Sequence, residues 1–349
     1  MPLLALMLAC GGNDAPQKPT PAAIPTIKVD GSSTVFPITE AVAEEYRKAG
    51  NAAQVTVGVS GTGGGFKKFC AGETDISDAS RPIKPSEVEL CAKNGVEYVE
   101  LPIAYDGLAI VVNPKNTFLT SITTEQLKKI WEPEAQGTVM KWSDVDPSWP
   151  ATPLRLYGPG VDSGTYDYFT EAINHKEHAS RGDFTSSEDD NVLVQGISGD
   201  EGAMGYFGFS YYEENTEKLK LIPVDDGKPD NGAGPIALSA ESVQNATYQP
   251  LSRPLFIYVS KKSLDRPEIQ GFVKYYLAEA AKLTREVGYI ALPGDAYTRM
   301  QGRVDGKKTG SVFGGKGSQV GVTLDTLLAE PSAATTPPTP PPAAPEAAP

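Results

Sequence analysis

Histidine and cysteine are scarce in this chain, with 2 His and 3 Cys among 349 residues. Both histidines, His175 and His178, fall in one stretch, "NHKEH". A Ser-His-Asp triad or a His-rich metal centre therefore has little material to draw on. The Gly-x-Ser-x-Gly elbow, the Walker-type phosphate loop and the His-Glu-x-x-His motif are also missing. Positive charge is in deficit, with 31 Lys and Arg against 44 Asp and Glu, a formal net charge of −13. That balance argues against nucleic acid or an anionic membrane surface as partner, because both need basic patches. An anion site in such a protein gains no long-range help, so it must work through local dipoles, hydroxyls and a buried Arg. The apolar start "MPLLALMLAC" is too short to span a membrane. Internal repeats and coiled-coil heptads are not visible.

That apolar start instead has the pattern of a secretory signal (residues 1–10) ending at a lipid-accepting Cys10. It implies a periplasmic or cell-surface protein, touching the membrane only through a lipid anchor. Export leaves Cys70 and Cys91 as an even pair in an oxidising compartment, a candidate disulfide. Closing that loop would contribute about 3 kcal/mol in the chain-entropy model. Residues 11–25 are polar and Pro-rich and read as a tether, and residues 330–349 are a Pro/Ala tail that cannot build a core. The folded body is expected within 26–325.

Inside the body, short β-branched runs alternate with amphipathic helices, which argues for an α/β fold. "ITEAVAEEYRKAG" sets Ile38, Ala41, Val42 and Tyr46 at helical spacing. "TTEQLKKIWEP" offers a Thr123/Gln126 capping box. "DRPEIQGFVKYYLAEAAK" puts Ile269, Phe272, Val273, Tyr276, Leu277 and Ala280 on one face. "YVELPIAYDGLAIVVNP" reads as two strand-like runs.

Three strand-to-helix junctions share one chemistry. They carry Ser32, Ser33 and Thr34 in "VDGSSTVFP", Ser60, Gly61 and Thr62 in "VGVSGTGGGF", and Ser163, Gly164 and Thr165 in "GPGVDSGTYDYF". Each alone is readily an ordinary N-cap. Together, at the carboxyl ends of strands, their hydroxyls and unpaired N–H groups suit a shared oxyanion pocket. In "TDISDASRPI", Arg81 adds a guanidinium that either forks onto an anion or sits in a surface salt bridge. Asp106 lies inside an apolar run, where a carboxylate needs a partner or a ligand. Glu188 lies ahead of a helix, where an acid also serves as dipole compensation.

"GSSTVFPITEAVAEEY", "VSGTGGGFKKFCAGETDISDASRPI", "YDGLAIVVNP" and "GPGVDSGTYDYF" together resemble the phosphate-binding proteins of phosphate ABC transporters, in the subgroup with a Ser-Arg-Pro-Ile motif. The resemblance spans most of residues 27–325 and implies a type II periplasmic binding protein fold. It implies two α/β lobes, 26–112 plus 254–325 and 113–253, joined by a two-segment hinge through "VVNP" and "SRPLF". Carried over, phosphate meets Ser33, Thr34 and the N–H of Val35, then Ser60, then Ser163, Gly164 and Thr165, with Ser32 and Gly61 nearby. The family's usual Arg position holds Pro159, and its usual Asp position falls at Ser80-Arg81. Arg81 is therefore expected to supply the charge. Asp106 is the first choice for accepting the phosphate proton and Glu188 the second. The implied function is capture of inorganic phosphate by a monomer for delivery to permease subunits, without catalysis, cofactor or metal. The alternatives are another tetrahedral oxyanion such as sulfate or molybdate, an exported sensor or adhesin, or an exported phosphomonoester hydrolase.

Overall fold

A computed structural model describes residues 24–161, 163–187 and 189–312. Cys10, Glu188 and the 330–349 tail lie outside the described residues. The first strands, β1 (Thr26–Gly31), β2 (Gln54–Val59) and β3 (Ile76–Ala79), alternate with α1 (Phe36–Lys48), α2 (Gly61–Cys70) and α3 (Pro85–Lys93). The long β4 (Tyr98–Val112) is followed by β5 (Ile122–Thr123), α4 (Thr124–Trp131), α5 (Trp142–Val145) and β6 (Arg155–Pro159). Next come α6 (Gly164–Asn174), β7 (Thr185–Ser187), α7 (Asp190–Gly199), β8 (Ala203–Gly208) and α8 (Phe209–Glu213). The remainder is β9 (Lys220–Leu221), β10 (Val224–Asp225), α9 (Ala240–Gln244), β11 (Ser252–Ser260), α10 (Pro267–Glu286), β12 (Ile290–Ala291) and α11 (Ala296–Asp305).

The main sheet runs β2-β1-β3-β11-β4-β8-β6-β7, with β12 and β9 also paired to β4. β1 is parallel to β2 and β3, and β6 is parallel to β7 and β8. The antiparallel pair β4 and β11 joins these two parallel halves. Every residue of β4 is buried. Its first half gives Val99, Leu101 and Ile103 to one hydrophobic core, and its second half gives Leu108, Ile110 and Val112 to another. A strand covered on both faces reads as an apolar run without alternation.

The two runs expected in this region are one strand. Pro102 has no N–H to donate, and the ladder shifts there: Leu255 faces Ala104 while Phe256 faces Pro102. The bulge takes up the proline without ending the strand. On α1 the buried face is Ile38, Thr39, Val42 and Tyr46, so Thr39 rather than Ala41 faces inward. Its hydroxyl lies 3.0 Å from the Tyr276 hydroxyl on α10, which satisfies both buried groups. The Thr123/Gln126 box caps α4, and α10 buries all six expected apolar residues. Cys70 and Cys91 are joined by a disulfide that ties α2 to α3.

Candidate functional site

The first junction leaves β1 at Gly31, whose backbone is pressed against β3. A Cβ there would stand 2.1 Å from the Asp78 carbonyl oxygen, so no side chain fits. Ser32 N–H donates to the same carbonyl at 3.0 Å, which fixes where the loop turns into α1. Ser32, Ser33 and Thr34 then line a cleft of about 620 Å³. Val35 is fully buried and caps α1 from below, without a side-chain cap of its own.

The second junction adds Ser60, Gly61, Thr62, Gly63 and Gly64 to the same cleft. The Ser60 hydroxyl is engaged, because it donates to the Asp30 carboxylate. The other Asp30 oxygen holds Lys68 at 2.7 Å. Thr62 accepts from the Ser80 N–H at 3.1 Å and so braces the segment leading to Arg81. Arg81 lines the cleft, but both of its terminal nitrogens are bound to Glu87, at 2.9 and 2.8 Å.

The third junction meets the first through Gly164. Its carbonyl lies 3.5 Å from the Thr34 hydroxyl, and a Cβ on Gly164 would stand 2.5 Å from that oxygen. Ser163 caps α6 by accepting from Thr165 N–H at 3.2 Å, so the cap reading of this serine is realised. The α6 N-terminus thus abuts Thr34 at the edge of the cleft. Strand ends bring the loops together here, and small residues let them touch.

The residue that the sequence reading passed over is Arg253. It lines the cleft with a side chain only 11% exposed. Its Nη2 donates to Thr34 Oγ1 at 3.0 Å, and its guanidinium carbon lies 3.7 Å from the centre of the Tyr168 ring. Its Nε is 3.4 Å from Asp106 Oδ2 and makes no hydrogen bond. A signal was present: Ser252-Arg253-Pro254 repeats the Ser80-Arg81-Pro82 tripeptide at the start of an apolar strand.

Asp106 does not line the cleft. It sits 2% exposed behind Arg253, and burial raises its pKa while the Arg253 charge opposes the rise. The cleft carboxylates are Asp167, Glu171 and Glu177, with His178 beside them. Asp167 Oδ1 is buried without a hydrogen bond, and burial raises the pKa of its carboxyl, with His178 opposing. Asp167, Glu177 and His178 bring ligand-type atoms within 4.8 Å of one another, the one such group among the described residues. Beneath the cleft, burial pushes the Asp78 carboxyl up to about 8.

The "PBP superfamily domain" family matches residues 16–280. "Phosphate-binding protein PstS" of Staphylococcus saprophyticus is 41% identical over 282 residues, 80% of this chain and 84% of its own. The chain belongs to the phosphate-binding proteins of the PBP superfamily. "Protein SphX" of Synechococcus elongatus is similar too, 54% identical over 302 residues, 86% of this chain and 88% of its own. Among solved structures, "a possible phosphate binding protein" from Planctomyces limnophilus superposes with a TM-score of 0.77 at 46% identity. That match covers 81% of this chain and 98% of the other. The "ABC-type phosphate transport receptor" from Vibrio cholerae gives a TM-score of 0.59 at 26% identity, covering 76% of this chain and 100% of the other. The fold is that of the type II periplasmic binding proteins. No helix among the described residues is long and apolar enough to cross a membrane.

Proposed function

We propose that this member of the family captures inorganic phosphate outside the cytoplasmic membrane and hands it to the permease subunits of an ABC transporter. The observation that carries the reading is one cleft in which hydroxyl-bearing strand ends meet a largely buried arginine whose Nη1 makes no hydrogen bond among the described residues. Ser33 and Thr34 supply hydroxyls, and the N-termini of α6 (Ser163, Gly164, Thr165) and α2 supply backbone dipoles. Arg253 supplies the charge, and Arg81 stands further out, held by Glu87. Ser60 reaches the anion only by releasing Asp30.

A pocket of donors alone accepts phosphate and sulfate alike. A carboxylate accepts the proton that phosphate carries near neutral pH and repels sulfate. Asp167 suits that role, because it lines the cleft with a buried oxygen, Oδ1, that makes no hydrogen bond and has His178 Nδ1 3.3 Å away. Asp106 lies behind Arg253 and is placed to hold the guanidinium instead. The two cores are the lobes of a clamp, with Leu108 to Val112 of β4 and Ile290 packing into the core of 113–253 rather than into that of the first lobe. Cys10 anchors a monomeric protein to the membrane, and phosphate leaves the cleft unchanged.

Anions released by denaturing the freshly purified protein test this directly. Phosphate at about one per chain is the expected result. Stoichiometric sulfate or molybdate, with no phosphate, would overturn it.

A further inference from the structure

We infer that Asp106 and Tyr168, neither of which reaches the cleft, are positioning residues for the anion. They set its affinity by fixing the Arg253 guanidinium between the two halves of the molecule. The inference rests on the phosphate reading of the cleft.

Arg253 and Asp106 face each other in register across β11 and β4, the strands that join the halves. The carboxylate lies along the Nε edge of the guanidinium at 3.4 Å. Tyr168, on α6, covers one face of the guanidinium at 3.7 Å. The Tyr168 hydroxyl donates to the Pro250 carbonyl at 2.6 Å, three residues before Arg253. The ring is therefore tied to the segment that carries the arginine. Thr34, from the opposite half, takes the Nη2 tip at 3.0 Å. The guanidinium is thus fixed at its plane, one edge and one tip. Nη1 makes no hydrogen bond among the described residues, which leaves that edge for an oxyanion.

A free arginine in a hinge would lose much of its side-chain freedom on binding, and pre-setting it lowers that cost. The carboxylate also keeps a cation in a poorly solvated place, where an unpaired charge would swing out to water. The opposing effect is real: Asp106 cancels part of the charge that attracts the anion. Pre-setting the guanidinium outweighs that loss. Because Asp106 and Tyr168 do not touch the ligand, their loss should weaken phosphate and sulfate by the same factor.

The experiment is calorimetric titration of the whole protein, stripped of anion, with phosphate and with sulfate. The variants are Asp106→Asn, Tyr168→Leu, Tyr168→Phe and Arg253→Lys, with Asp106→Asn also placed in the Arg253→Lys background. Thermal melts identify any variant that fails to fold. Asp106→Asn and Tyr168→Leu should each weaken phosphate binding by about tenfold or more, with the phosphate-to-sulfate ratio unchanged. Tyr168→Phe keeps the ring but loses its tie to the Pro250 carbonyl, so its loss should fall between those of the parent and Tyr168→Leu. In the Arg253→Lys background, Asp106→Asn should change little further, since its effect passes through the guanidinium. Asp106→Asn with unchanged or tighter phosphate binding overturns the inference, as does an equal loss in both backgrounds. A parent protein that takes no phosphate at all overturns the phosphate reading and the inference with it.

Discussion

Arg81 and Glu87 form a two-pronged ion pair, with both terminal nitrogens of the guanidinium within 2.9 Å of a carboxylate oxygen. Glu87 is also fixed, because it accepts from Lys84 N–H at 2.8 Å in the cap of α3. An arginine used this way has little left for an anion, whereas Arg253 keeps free donors. Arg81→Ala is therefore expected to leave phosphate affinity within about threefold of the parent. Arg253→Ala should reduce it by about 100-fold or more, the usual effect of deleting a buried charge partner. Calorimetry on both variants checks this. The reverse ranking would return the charge to Arg81.

Gly164 and Thr34 come from different cores and touch. An added Cβ at Gly164 would stand 2.5 Å from Thr34 Oγ1 and 2.9 Å from its backbone nitrogen, so the two halves must separate to admit it. Gly164→Ala is expected to lower phosphate affinity by about tenfold or more, because an interlobe clamp gains from contacts made only when closed. Small-angle scattering with saturating phosphate should show a larger radius of gyration than the parent. Equal radii and equal affinity would mean that this contact plays no part in closure.

The Cys70–Cys91 bond closes a loop with a sequence separation of 21. Its reduction is expected to cost about 3 kcal/mol in unfolding free energy, mainly through a less constrained unfolded chain. Urea unfolding with and without reductant measures the difference. Intact mass should rise by two hydrogen atoms on reduction. Two free thiols in the exported protein would contradict the structure here.

Asp78 makes stability fall as pH rises. Its folded pKa, pushed up to about 8 by burial, exceeds the ordinary aspartate value of 3.8. Between roughly pH 4 and 8 the unfolded chain releases this proton and the folded one keeps it, so unfolding becomes easier across that window. Above pH 8 the loss is complete. Glu100 is buried with its pKa raised in the same direction, so it adds to the trend. Asp78→Asn should raise the urea midpoint at pH 8 and leave it nearly unchanged at pH 4. A parallel offset at both pH values would point to packing instead.

Much of this architecture was legible in the sequence because its signals are local. Helix faces such as Ile269 to Ala280, the Thr123 capping box and the three Ser/Thr-rich strand ends each show within a dozen residues. The meeting of Ser32–Thr34 and Ser60–Gly64 in one cleft followed from strand ends sharing an edge. What sequence order hid was pairing across the hinge. Asp106 and Arg253 are register partners on β4 and β11, far apart in the chain, and neither residue announces the other. Thus Asp106 read as a cleft residue when it lies behind Arg253, and Arg253 read as hinge when it lines the cleft. Arg81 showed the right chemistry, but the claim of Glu87 on it depends on α3 folding back. Asp167 was hidden inside an ordinary-looking helix start.

The most direct measurement of the central claim is a calorimetric titration of the anion-free protein with phosphate, then with sulfate, arsenate and molybdate. Phosphate should bind saturably at one site per chain, with arsenate competing and sulfate much weaker. Asp167→Asn should shrink the phosphate-to-sulfate ratio by about tenfold or more, since it turns a repelling acceptor into a potential donor. Sulfate binding as tightly as phosphate to the parent, or no saturable phosphate binding, would contradict the account.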